Sequence, residues 1–144
     1  MKVAPKEGRR LRFIRLETAQ VPYKKWKAFF QDQDGKEYVR YFGGKMADGT
    51  PYADYTTTGT DQQRTNYLSR HKHDLDAPLH EAKLHDDELF LIAPGLLSYY
   101  ILWGNDRDIK KNIREYKKSF LNGNFFGHHN NDGQRAIQGE EGEN

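Results

Sequence analysis

The chain has 144 residues and no cysteine, and its 23 Lys+Arg against 21 Asp+Glu leave a formal charge of +2. That length supports one compact domain with flanking tails rather than two domains. Without cysteine there is no disulfide framework, thiolate zinc site, iron–sulfur cluster or cysteine nucleophile, and a reducing compartment fits best.

Leu, Ile, Val and Phe make up about a fifth of the chain, near the range of disordered sequences, but 19 aromatic residues place it among folded ones. Charge is unevenly spread: residues 1–40 carry +6, 41–99 carry −4, 100–127 carry +3 and 128–144 carry −3. A basic arm and an acidic tail of this kind suit contact with a charged surface or with another copy better than a small-molecule site. The first 15 residues are basic and lack the continuous apolar segment of a secretory leader, so no export is expected.

In chain order, residues 11–16 (LRFIRL) read as a strand whose alternation slips at Ile14. Residues 24–30 place Trp26, Ala28 and Phe30 on one strand face and Lys25, Lys27 and Phe29 on the other. A turn at 31–35 returns the chain through a strand at 37–42, giving a hairpin over 24–42. Residues 43–59 read as a long ordered loop rich in Gly, Asp, Thr and Pro. Thr60 and Gln63 form a capping-box pattern that opens a helix over 61–72. Residues 74–85 are polar, contain Pro78 and read as an inserted loop.

The charge-free run 89–105 approaches the length of a membrane span, but Pro94-Gly95 and several polar residues interrupt it, so it reads as core. It carries a second helix over 95–103. A third, over 107–121 and capped by Gly104-Asn105-Asp106, sets Ile109, Ile113, Tyr116 and Phe120 on one stripe. Lys110, Lys111, Arg114, Lys117 and Lys118 coat its other side. The predicted class is therefore α+β: a small antiparallel sheet (hairpin 24–42 with strand 11–16 beside it) packed with three helices. Residues 1–22 form a basic arm or edge strand, 23–121 the globular domain, and 122–144 a Gly/Asn-rich acidic tail without fixed structure.

The motifs of serine nucleophile elbows, P-loops and dinucleotide folds are absent. Gly43-Gly44-Lys45 follows a strand, but no helix opens close behind it to receive a phosphate. His71 and His73 with Asp74, and His128-His129 with Asp132, match metal-ligand geometry only loosely, so neither metal nor cofactor is expected. Asp86, Asp87 and Glu88 read as a solvated loop rather than an acid–base pair. The richest positive feature is a set of cations interleaved with aromatics: Arg9, Arg10, Arg12, Arg15, Lys24, Lys25 and Lys27 around Phe13, Tyr23 and Trp26. These residues are the candidate partner surface, able to neutralise phosphates or face another protein. Neither a recognition-helix pattern nor RNP-type aromatic strands accompany them.

An ordered set of motifs spans residues 24–121: Tyr41-Phe42-Gly43, Tyr52-Ala53-Asp54-Tyr55-Thr56, Arg64-x-x-Tyr67-x-x-Arg70-His71, Gly95-x-Leu97-Ser98-x-Tyr100-Ile101-Leu102-Trp103 and Tyr116-Lys117-Lys118-Ser119-Phe120. In this set the chain resembles an uncharacterised family of small proteins encoded by nucleocytoplasmic large DNA viruses, including those of algae and protists. The loop 74–94 is longer than the family pattern, and both arms depart from it. The resemblance implies a viral origin and no established activity.

A compact core with charged arms suits a non-enzymatic structural virion protein, most simply a minor capsid (cement) protein made in the host cytoplasm and carried in the capsid. Its expected partners are the major capsid protein and other minor capsid proteins, with a second copy also compatible and a membrane not expected. The alternative is a DNA-associated protein of the virion core or viral factory. Asp54, Tyr55, Arg64, Tyr67, Arg70, His71, Ser98 and Trp103 form the structural signature. Within it, Arg64, Arg70 and Asp54 are expected to make an ion-pair network tying the loop to the first helix, with Tyr55 and Tyr67 packed around it.

Overall fold

A computed structural model describes residues 9–127. Three strands, β1 (Leu11–Thr18), β2 (Lys24–Asp32) and β3 (Glu37–Gly44), form an antiparallel sheet in the order β1-β2-β3. The slip in alternation at Ile14 is a β-bulge: Phe13 pairs with Phe30 and Arg15 with Phe29, so Ile14 has no partner across the ladder. The extra residue lets Leu11 and Phe13 on one side of it, and Leu16 on the other, all face the core.

Asp32 builds the β2–β3 turn. Its Oδ1 accepts from the N–H groups of Asp34 (2.9 Å) and Lys36 (3.0 Å), and its Oδ2 from the Tyr38 hydroxyl (3.1 Å). Burial works against its charge, yet these donors and nearby Arg9 hold the carboxyl below the usual aspartate range.

Helix α1 runs over Asp61–His85, opened by the reciprocal capping box of Thr60 and Gln63. It takes in residues 74–85, which the sequence presents as a loop. The helix continues because Leu75, Leu79 and Ala82 recur at four- and three-residue spacing and pack inward, with Leu75 and Ala82 buried. Pro78 forfeits one backbone hydrogen bond without ending the helix, and the left-handed Asp86 (φ 52) terminates it.

A 3₁₀ turn (Glu88–Ile92) leads to α2 (Pro94–Leu97), which widens into a π turn (Ser98–Leu102) closed by Trp103 N–H to Ser98 O at 3.1 Å. Leu91, Ile92, Leu96, Leu97, Ile101 and Leu102, all from the charge-free run, are buried. Full burial of such a side chain stabilises by about 1.5–3 kcal/mol, so this segment is the centre of the core. No helix among the described residues is long and apolar enough to cross a membrane.

Helix α3 covers Ile109–Phe120, its N-cap being Asp108, whose side chain accepts from Lys110 N–H at 2.9 Å, rather than residues 104–106. The packed chain continues past Leu121. Phe125, in a 3₁₀ turn (Asn124–Phe126), lies 5.4 Å from the Phe120 ring, so an unstructured tail cannot begin at residue 122.

Glu88 is buried and not part of a solvated loop. Its carboxylate accepts from the N–H groups of Leu11, Asn122 (3.1 Å) and Gly123 (2.9 Å), fastening the start of β1 to the turn after α3.

Candidate functional site

The signature residues meet where the loop after β3, the first turns of α1 and the end of the π turn converge. Asp54 is buried and anchors the loop. Its carboxylate binds the Lys25 ammonium and accepts from the Thr56 N–H (2.8 Å) and hydroxyl (2.5 Å). Its own carbonyl takes the N–H groups of Thr57 (3.0 Å) and Gly59 (2.8 Å). A Cβ on Gly59 would lie 2.8 Å from the Asp54 carbonyl and 3.2 Å from the Trp103 ring, so the loop closes this tightly only with glycine there.

Arg64 donates from Nε to Gly104 O (2.7 Å) and Trp103 O (3.1 Å) and from Nη2 to Asn105 Oδ1 (2.9 Å). Arg107 donates to Gly59 O (2.9 Å) and Tyr55 O (3.2 Å). Both guanidinium groups lie over the Tyr55 ring, Arg107 at 4.1 Å and Arg64 at 5.5 Å. The Tyr55 hydroxyl donates to Asp61 (2.6 Å), and this bond, with some burial, raises its pKa. Tyr67 stacks on Trp103 at 4.7 Å and 13°, with His71 at 4.3 Å from the same ring. Burial raises the Tyr67 pKa, while Arg70 pulls the other way.

This is a clasp, but not the expected ion-pair network. Asp54 takes Lys25 instead of an arginine, and Arg64 caps the carbonyls that end the π turn. Arg70 is exposed and pairs with no carboxylate among the described residues. An Arg70→Ala variant should therefore keep its unfolding free energy within about 0.5 kcal/mol in a urea titration, whereas Arg64 carries the contacts.

Beside the clasp lies an open cleft of about 430 Å³ lined by Lys24, Gly43, Tyr67, His71, Asp74 and Ser98, among others. His71 Nδ1 is 3.8 Å from Asp74 Oδ2, beyond hydrogen-bond reach, with His71 half-buried and Asp74 exposed. Among the described residues no group of three His, Asp or Glu side chains comes together to hold a metal. The pair His128-His129 lies outside the described residues.

The seven candidate cations do not form one patch. Arg9 faces Asp32 at 3.8 Å, Arg10 binds Asp86 at 3.2 Å, and Lys25 is spent on Asp54. Lys24 borders the cleft. Arg12, Arg15 and Lys27 share the outer face of the sheet, away from the helices, with Glu17, Phe29, Val39 and Tyr41, none of which belongs to the core cluster. There the Arg15 guanidinium covers the Phe29 ring at 3.7 Å, and Lys27 sits 4.9 Å from Phe29 and 5.8 Å from Tyr41.

Sequence reasoning missed Glu88 and Arg107. Glu88 sits in an acidic triplet that reads as polar, and nothing local marks it as the one turned inward. Compared with protein-family models, curated proteins and solved structures, the chain matches none.

Proposed function

We propose that the chain is a non-catalytic structural component of a large DNA-virus particle, a minor capsid protein that fastens neighbouring shell subunits. The motif order over residues 24–121 supports the viral assignment, and the outer sheet face carries the argument for a fastening role. That face sets Arg15 and Lys27 over the buried Phe29 ring beside the half-buried Tyr41, and the bulge leaves Ile14 37% exposed at its margin. Aromatic and arginine side chains on a firm hydrogen-bonded support are the composition of protein interface centres. The sheet is firm because the Glu88 and Asp54 clasps pin it at β1 and β2.

The clasp itself supports a structural role for the signature residues, since Asp54, Arg64, Tyr55 and Tyr67 are engaged in holding loop, helix and π turn together. The partner on the sheet face is the major capsid protein or another shell protein. Contacts of this apolar and aromatic kind persist through moderate salt. In particles assembled with the Ile14→Asp, Tyr41→Asp double variant, incorporation should fall at least tenfold while the melting temperature stays within a few degrees of the parent. Unchanged incorporation would remove this face from the account.

A further inference from the structure

We infer that α3 carries a second binding surface, one that takes the phosphate backbone of nucleic acid without reading its sequence. At about 100° per residue, Lys117, Lys110, Arg114, Lys118 and Lys111 fall within an arc of about 120° on the helix, all exposed. The carboxylate of Glu115 lies outside that arc, on the flank toward Ser119. Two of the five cations have acidic neighbours: Lys118 faces Glu115 at 3.9 Å and Lys111 faces Asp106 at 3.8 Å. Lys110, Arg114 and Lys117 pair with no carboxylate among the described residues, and they follow one another along the helix at about 6 Å and then about 4.5 Å of axial rise.

The stripe does not stop at the helix end. Lys117 and Lys118 border a groove of about 370 Å³ that also takes in Arg12 on β1, with Leu11, Phe13, Leu121, Asn122 and Asn124 completing a lining that holds no carboxylate. Arg12 donates to the neutral Gln31 (2.6 Å), so its charge is not cancelled. A continuous line of cations therefore runs from the start of α3 to the outer edge of the sheet. A uniformly spaced polyanion matches this line better than a compact anion does, because no point along it gathers several donors around one centre.

The choice of nucleic acid over an acidic protein rests on the make-up of the stripe. Along α3 the exposed lysines and arginine have no apolar residue between them, and in the groove Leu11 and Leu121 are buried, so the stripe supplies mainly charge, which suits phosphate neutralisation and counterion release better than a protein interface with its apolar centre. The helix part of this surface is distinct from the sheet face invoked for shell contacts, the two meeting at Arg12, and the inference stands or falls independently of particle membership.

The test is fluorescence anisotropy of the full chain against a labelled 30-base-pair duplex of arbitrary sequence at 50–200 mM salt. Four or five phosphate contacts predict a log–log salt slope of about −4, hence affinity about 250-fold weaker at 200 than at 50 mM. Two unrelated duplex sequences should bind alike. Lys110→Glu with Arg114→Glu should weaken binding at least 30-fold, and the charge-matched control Lys36→Glu with Lys72→Glu by no more than about threefold. Should the reversal variant misfold by circular dichroism, Lys110→Gln with Arg114→Gln should still lower the slope by about two. Absence of binding at 50 mM salt, equal losses in stripe and control variants, or equally tight binding of poly-glutamate would each overturn the inference, the last pointing to an acidic protein instead.

Discussion

Asp54→Ala is expected to destabilise the protein by about 3–5 kcal/mol, the range for removing one partner of a buried ion pair. The loss comes from what is left behind. The Lys25 side chain is only 10% exposed, and without the carboxylate its ammonium keeps the Tyr52 carbonyl at 2.8 Å as its remaining acceptor. The Thr56 N–H and hydroxyl lose their acceptor too, so the loop that closes on Gly59 loosens together with the sheet edge. Replacing both charges should behave differently. Lys25→Met with Asp54→Asn removes the stranded ammonium and keeps an acceptor for Thr56, and it should bring stability back to within about 1–2 kcal/mol of the parent, as for other buried pairs replaced by neutral residues. Urea unfolding of the two single variants and the double variant would give the coupling directly. A fully additive cycle would show that Lys25 and Asp54 do not act as a pair.

Glu88→Ala should cost about 2–5 kcal/mol. Three backbone N–H groups, those of Leu11, Asn122 and Gly123, lose their acceptor, each at about 1–3 kcal/mol if no water replaces it, offset in part by removal of a desolvated carboxyl. The same residue gives stability a pH dependence. Burial holds the Glu88 carboxyl above the usual glutamate range, outweighing the N–H donors and Arg10. Over the interval between the ordinary and the raised value, the native state therefore binds more proton than the unfolded chain. Glu88's contribution to stability must then decline as pH rises through that interval and level off above it. Glu88→Gln, which cannot titrate, should lack this decline, so the difference between parent and variant curves should show it. A contribution from Glu88 that grows with pH across the same interval would mean that the N–H donors dominate instead.

Much of this fold is written locally in the sequence. The hairpin follows from alternation on either side of the Asp-rich turn, and the capping box at Thr60 and Gln63 marks the start of α1 correctly. The slip at Ile14 weakens the pattern of β1, yet it is itself a structural feature, the bulge. What misleads is the second half of α1: a polar surface and Pro78 hide a stripe of Leu75, Leu79 and Ala82 whose spacing alone is helical. The signature residues are legible as a cluster because they recur at helical intervals and beside turn glycines. Their partners are not, because Lys25 reaches Asp54 and Arg64 reaches Gly104 only through tertiary closure. Lys25 has the strand parity of the outward-facing Lys27 and Phe29 along β2 and alternates with the core residues Trp26 and Ala28, so strand periodicity marks it as solvent-facing, while the returning loop buries it. The inward turn of Glu88 is illegible for the same reason: its three donors come from segments 77 and 34–35 residues away.

The two surfaces separate by chemistry. The sheet face offers Tyr41 and Ile14 beside cations stacked on a buried ring, and α3 offers charge alone, so rising salt should release nucleic acid long before it releases a shell partner. The most direct test of the structural role is quantitative mass spectrometry of purified virus particles washed at moderate salt, scaled to the major capsid protein. The account predicts that this chain stays with the shell at a fixed, reproducible ratio. Its presence in infected cells but absence from the washed particles would contradict the account.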